Sequence, residues 1–290
     1  MIETPTGRTA RILDGTVIAR AIRDQVALDV AAIHAELGSV PGLRVLLVGD
    51  DAPSRVYAGR ILEHASRVGI PGALLELPAT TDARVVCHEL EAASMDPTVG
   101  GVILQMPLPS GLSRHDVAMA LDPGKDIDGI HPWNAGLLAQ SRAGHRPSCA
   151  EAALEILLAS GIAIRGARAV VIGRSEVVGK PAALLLLQHD ATVTVCHRQT
   201  RDLVGEVGQA DIVVVAAGSP GLVRGDMVRP GAVVVDCGIN VVDGHVTGDV
   251  DRTSVEQVAG AMTLVPGGVG PVTNAVLLRH HVAAIRAAAA

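Results

Sequence analysis

At 290 residues with 49% hydrophobic content, the chain is long enough to bury two sizeable cores. Its formal net charge of −6 offers no basic face to nucleic acid or an anionic membrane, and no apolar run reaches the length of a membrane span. With no Phe, one Trp (Trp133) and one Tyr (Tyr57), the cores must be filled by Val, Leu, Ile and Ala.

The N-terminus, with Glu3 and Pro5 and no apolar core, does not read as a signal peptide. Residues 17–37 then read as an amphipathic helix. Alternating strands and helices follow: strand 43–48, helix 54–68, strand 73–77, helix 81–94 and strand 101–105. Apolar strands alternating with helices indicate parallel-sheet α/β architecture. A polar passage bearing Gly and Pro, from Asp122 to Pro147, marks a change of domain. A helix over 150–160 restarts the pattern, and strands are expected at 170–172, 192–196, 212–216 and 232–236. Residues 275–288 form a last helix.

Cys87, Cys149, Cys196 and Cys237 show no C-x-x-C spacing and no histidine at a metal-ligand interval, so no metal site is expected. They read as reduced, partly buried thiols of a cytoplasmic protein.

The strand 170–172 ends at Gly173, followed by Arg174, Ser175 and then Val178, Gly179, Lys180 and Pro181, with helix from Ala182. A strand, a tight turn and a helix start can hold a phosphate on backbone N–H groups and the positive end of the helix dipole. The pattern departs from G-x-G-x-x-G, because Ser175 and Val178 stand where glycines are expected. The next strand ends in Cys196, His197, Arg198, Gln199 and Thr200. An acid at that strand end would accept from the ribose 2′-hydroxyl and repel a 2′-phosphate. None is present, whereas Arg174 and Arg198 offer forked, charge-assisted donors, so NADP is favoured over NAD. Ala217, Gly218, Cys237, Gly238 and Ile239, just beyond the next two strands, are further candidate cofactor residues.

These motifs, with Pro266-Gly267-Gly268-Val269-Gly270-Pro271 and Thr273, resemble the bifunctional methylenetetrahydrofolate dehydrogenase/cyclohydrolases. The first half carries the same resemblance in Val48-Gly49, Ser54-x-x-Tyr57, Gln105-Met106-Pro107-Leu108-Pro109, Lys125-Asp126-Ile127-Asp128-Gly129 and His131-Pro132. It implies two α/β lobes with a cleft between them, the C-terminal lobe being a Rossmann-like NADP-binding domain. The expected division is 1–147 plus 275–290 for a catalytic, folate-binding domain and 148–274 for the NADP domain, with the last helix returning to the first. A homodimer is also implied.

The resemblance assigns Asp128 to the pterin ring, whose adjacent N–H donors a carboxylate can accept together. A loop aspartate capping a turn is the plainer reading for Asp126. Tyr57 is placed against the aminobenzoate ring, and Gln105 at the reacting centre; these three are the candidate catalytic residues. Pro107, Gly270, Pro271 and Thr273 complete the expected folate contacts, with Gly267, Gly268 and Gly270 in a loop that can bring main chain close to the nicotinamide or the substrate. The family lysine four residues after the tyrosine is replaced by Ile61. His64 shares the helix face with Tyr57 and is a weak surrogate, while Arg60 points about 100° away. Cys149-Ala150, Leu264 and Val272-Thr273-Asn274 are other departures.

The leading expectation is NADP-dependent oxidation of 5,10-methylenetetrahydrofolate, with weak or absent cyclohydrolase activity. The alternatives are a redox paralogue acting on another cyclic iminium or folate-like compound, and a folate- or nucleotide-binding protein without turnover.

Overall fold

The computed structural model describes residues 9–289; Glu3 and Pro5 lie outside them. The first stretch holds β1 (Arg11–Leu13), α1 (Gly15–Leu37), β2 (Gly42–Val48), α2 (Ala52–Arg67), β3 (Gly72–Leu77), α3 (Ala83–Met95) and β4 (Val99–Leu104). Short helices α4 (Arg114–Ala118) and α5 (Pro132–Ala139) lead to α6 (Ser148–Ala159). Then come β5 (Arg168–Ile172), α7 (Gly179–Gln188), β6 (Thr192–Cys196), α8 (Leu203–Val207), β7 (Ile212–Val215) and a 3-10 turn (Gly225–Met227). The chain closes with β8 (Val233–Asp236), β9 (Asn240–Val242), β10 (His245–Thr247), α9 (Arg252–Val255), β11 (Ala261–Thr263) and α10 (Val269–Ala289).

Two compact units result. The first comprises Ala19–Ser148 and Asn274–Ala290, the second the segment up to Ile18 and Cys149–Thr273. This corrects the expected division at the amino end, where residues before the first long helix were grouped with the first domain. Strand β1 instead pairs in parallel with β11, Ile12 opposite Met262, and so extends the second unit's sheet.

The first unit is built on a parallel sheet of order β3-β2-β4. All six residues of β4 are buried, as a strand covered on both faces requires. Its core is aliphatic, with Leu46, Val48, Val86, Leu90, Val102 and Leu104 packed together. Helix α2 begins where the Asp51 side chain accepts the Ser54 amide (2.9 Å), with a proline in its first turn. The polar passage after Asp122 is less irregular than its composition suggests. It contains α5, whose N-cap His131 accepts the Trp133 amide at 3.0 Å.

The second unit has a six-stranded parallel sheet, β1-β11-β8-β7-β5-β6. Val170, Ile172, Val213, Val215, Val234 and Met262 contribute to one core cluster on it. Beyond the expected strands it holds β11 and the antiparallel hairpin β9-β10, each strand only three residues long and too short for a periodicity to register. Helix α10 also starts earlier than expected. Gly270, expected in a loop, lies in its first turn, Pro271 and Thr273 follow within the helix, and the Thr273 hydroxyl donates to the Val269 carbonyl at 3.1 Å.

Candidate functional site

Both sheets share one topological property. Taking β2 as first strand, its neighbours are the second (β3) on one side and the third (β4) on the other; β5, β6 and β7 repeat this arrangement. Connections leaving such a first and third strand diverge, which opens a crevice at their carboxyl ends, the usual ligand position in open α/β sheets.

In the first unit the crevice is flanked by the loop from β2 into α2 and by the segment after β4. Gln105 follows β4 directly, is buried, and its amide donates to the Leu46 carbonyl at 2.8 Å. Its side-chain Nε2 donates to the Met106 carbonyl at 2.9 Å, and the Ser54 hydroxyl donates to the same oxygen at 3.0 Å. The start of α2 is thereby tied to the Gln105–Pro107 segment. Tyr57, one turn further along α2, is half-buried, and Pro107 is exposed.

Ile61 follows Tyr57 by one turn and is 1% exposed, a core side chain beside the buried Ala58 and Ala65. His64 is half-buried with its Nδ1 enclosed and unbonded. Burial first, and then the Arg23 and Arg67 guanidiniums, hold its pKa below the ordinary histidine value, which favours the neutral ring. Arg60 is exposed.

The two aspartates after Lys125 have separate tasks. Asp126 is fully buried and accepts the amides of Ile130 (3.1 Å) and His131 (2.8 Å) and the Asn134 Nδ2 (2.9 Å). It shapes the turn. Asp128 is hydrogen-bonded by Ser148, through both its hydroxyl and its backbone amide. Burial is the main reason its pKa rises from 3.8 to about 6; Asp126 adds to the rise, while Ser148 and His280 oppose it. His280, on α10, donates from Nδ1 to the Ile127 carbonyl at 2.8 Å, and its ring lies 5.6 Å from that of His145. A carboxylate poised near neutrality, placed by its neighbours and spare in its accepting capacity, suits a ligand that brings paired N–H donors.

In the second unit, Gly173 has a φ of +124°, and a Cβ there would lie 2.1 Å from the Ala216 carbonyl oxygen at the end of β7. A Cβ on Gly179 would lie 2.2 Å from the Gly173 oxygen. Only glycine fits either place, so the turn presses α7 against β5 as a phosphate-binding turn requires. The Ser175 oxygen accepts the amides of Val178 (3.2 Å) and Gly179 (3.3 Å), doing the capping work without a glycine. After β6, the Thr200 hydroxyl oxygen accepts the His197 amide at 2.9 Å and closes a small turn that leaves Arg198 exposed, as is Arg174. Ala217, Gly218 and Ile239 are exposed, Cys237 is partly buried and Gly238 is buried. This set fits a dinucleotide: a close-approach turn, accessible guanidiniums and no acid at the end of β6.

Family models match nearly the whole chain. Residues 13–128 match "Tetrahydrofolate dehydrogenase/cyclohydrolase, catalytic domain", and residues 147–289 match the "NAD(P)-binding domain" of the same family. The chain belongs to the tetrahydrofolate dehydrogenase/cyclohydrolase family. The "Bifunctional protein FolD" of Roseiflexus sp. (strain RS-1) is 47% identical over 273 residues, covering 94% of this chain and 95% of its own. The crystal structure of the Campylobacter jejuni bifunctional methylenetetrahydrofolate dehydrogenase/cyclohydrolase superposes with a TM-score of 0.94 at 34% identity, covering 96% of this chain and 99% of its own. The Trypanosoma brucei enzyme, solved with NADP cofactor and inhibitor, gives 0.93 at 34%, with coverage of 97% and 99%. This family member therefore carries an NAD(P)-binding domain as its second unit.

Sequence reasoning passes over three features. Ser148 stands out in the sequence only as the neighbour of Cys149-Ala150, though its hydroxyl sits on Asp128. The thiols of Cys149 and Cys237 are hydrogen-bonded to each other, and that bond, with burial, lifts the Cys237 pKa well above the usual thiol range. Asp236 and Asp249 are buried carboxylates behind the candidate cofactor loops. The only local signal for Asp249 is the Gly248 before it. Among the described residues no group of three or more His, Cys, Asp or Glu is arranged to hold a metal ion, and no helix is long and apolar enough to cross a membrane.

Proposed function

We propose that the protein oxidises 5,10-methylenetetrahydrofolate to 5,10-methenyltetrahydrofolate with NADP, and that its cyclohydrolase activity is weak or absent. Family membership across both units supports the first part; the burial of Ile61, 1% exposed at the position of the family lysine, carries the second. When bound, NADP accepts the hydride that leaves the methylene carbon, while a nitrogen lone pair of the folate forms the amidinium. That step needs alignment of two bound molecules more than a protein base. In this reading Asp128 accepts from the pterin edge, Tyr57 lies against the aminobenzoate ring, and Gln105 holds the reacting centre. Pro107, Gly270, Pro271 and Thr273 complete the folate contacts.

Arg174 and Arg198 hold the adenosine 2′-phosphate. The turn from Gly173 to Gly179, with Ser175 and Val178, takes the pyrophosphate, and His197, Thr200, Ala217, Gly218, Cys237, Gly238 and Ile239 line the rest of the cofactor.

Hydrolysis of the methenyl product requires water to add at the amidinium carbon and a proton to be handled there. Ile61 can neither donate nor accept one. His64, with its lowered pKa, is neutral at pH 7, and the charges that act on it are those of Arg23, Arg67, Glu63 and Arg60. The protein works as a cytoplasmic homodimer in this reading. The exposed Val241 and Val246, cross-strand partners on one face of the β9-β10 hairpin, give an apolar patch suited to a second copy. The deciding assay supplies NADP and 5,10-methylenetetrahydrofolate and scores methenyl and formyl products together. Accumulation of the methenyl form supports the proposal; rapid passage to the formyl form refutes its second part.

A further inference from the structure

Three consecutive amides after β7 converge on one carboxylate. Asp249 is fully buried, and its Oδ2 accepts the amides of Ala217 (2.7 Å) and Gly218 (2.8 Å). Its Oδ1 accepts the Ser219 amide (2.8 Å) and the Asn240 Nδ2 (2.8 Å). Behind it lies Asp236, 3% exposed, which accepts the amides of Gly238 (2.8 Å), Asp249 (3.1 Å) and Val250 (3.0 Å). Gly238 packs so tightly on this pair that a Cβ there would lie 2.4 Å from the Asp249 carboxyl carbon. The two carboxylates thus fix the loops that leave β7 and β8.

A run of amides turned to one point is an anion-binding concavity, and next to a nucleotide site it would ordinarily attract a phosphate. Here the chain's own carboxylate fills it. The N–H face of residues 217–219 is spent inward, while the residues themselves stay exposed. We propose that Asp249 is a positioning residue for the cofactor: it holds the 217–219 loop so that the loop meets an uncharged part of the dinucleotide, and leaves the phosphates to the Gly173–Gly179 turn. The inference rests on the NADP reading of this unit.

The test compares the wild type with Asp249→Ala and Asp249→Asn. NADP kinetics are measured at saturating 5,10-methylenetetrahydrofolate, alongside amide exchange by NMR. Asp249→Ala should raise KM for NADP about tenfold or more while kcat stays nearly unchanged, the loss matching one or two charge-assisted hydrogen bonds. The amides of 217–219 should exchange faster while those of β7 stay protected. Formate should lower the raised KM by reoccupying the vacated concavity, and inorganic phosphate should compete with NADP more strongly in this variant than in the wild type. Asp249→Asn keeps one acceptor oxygen and should fall between, and it serves as the readout if the alanine variant does not fold. Wild-type KM in a folded variant whose loop amides exchange fast overturns the proposal alone. Wild-type protein that does not bind NADP overturns the cofactor reading and this proposal together.

Discussion

Replacing Asp128 by Asn should stabilise the first unit at neutral pH while weakening folate binding. The carboxyl's pKa stands at about 6 in the folded chain against 3.8 as an ordinary aspartate. A folded-state value above the unfolded one means the fold holds the proton more tightly, so the contribution to stability is complete below about pH 4 and is lost as pH rises through about 6. At pH 7 the ionised carboxylate therefore costs the fold roughly 3 kcal/mol. Asn carries no such charge and can still accept from the Ser148 hydroxyl. The expected gain at pH 7 is up to roughly 3 kcal/mol, reduced by whatever the added amide NH2 fails to bond.

A second group in the same unit masks this effect in the wild type. His281 is buried, donates from Nε2 to the Pro41 carbonyl at 2.9 Å, and has its pKa pulled down to about 4 by burial. Its sign is opposite: the penalty is absent above the ordinary 6.5 and grows as pH falls toward 4. Wild-type stability of this unit should then be nearly flat from pH 4 to 6, while Asp128→Asn should show stability falling steadily with acid over that window. The assay is hydrogen exchange of the β2 amides across pH, corrected for intrinsic rates, because a two-unit chain need not unfold in one step. An Asp128→Asn profile parallel to the wild type, with no gain at pH 7, would refute the reasoning.

Arg198→Ala should cost about 1.5–3 kcal/mol of NADP affinity and leave NAD affinity nearly unchanged; equal losses in titration calorimetry would make the arginine a structural residue. Ser148→Ala removes a bond that keeps the Asp128 pKa down, so the pH below which the folate KM climbs should move above about 6, and Ser148→Thr should restore it. Ile61→Lys forfeits about 1.5–3 kcal/mol of apolar burial and should appear as a lower Tm, yet it should bring measurable methenyl hydrolysis above the buffer rate. Wild-type hydrolysis well above that rate, abolished in His64→Ala, would make the histidine the working base.

The alternating elements are legible in the sequence because apolar runs such as 43–48 and 212–215 are buried on both faces, and burial on both faces leaves a continuous hydrophobic signal. The turn from Gly173 to Gly179 is legible for a related reason: steric demands at the two glycines are met by residue type alone. Short elements escape. Strand β11 has three residues and is recognisable only from its partners β1 and β8. Helix α5 hides in a polar passage although Pro132 sits at its first position, where a proline is at home. Asp249 stands 30 or more residues from the amides it accepts, so no local window connects them.

The proposed function asks this scaffold to keep one reaction and weaken another. In the proposed reading hydride transfer draws on alignment, which would be supplied by features spread over many residues: the Ser54 hydroxyl tying α2 to the Met106 carbonyl, the Asp126 turn, the amides gathered by Asp249. Replacing one side chain leaves most of that framework standing. Proton handling depends on one ionisable atom at one place, and an isoleucine that is 1% exposed between Ala58 and Ala65 offers none. Placing a lysine there must oppose a pocket already packed as core. Stability should fall across Ile61→Met, Ile61→Gln and Ile61→Lys as the polarity buried there rises, whereas hydrolysis should appear only with Ile61→Lys, the one side chain of the three able to hold a proton. The Ile61→Met variant is the control in that series. It keeps an apolar side chain of similar volume and should change neither activity, which separates the chemistry of the missing ammonium from the packing of the helix that carries it.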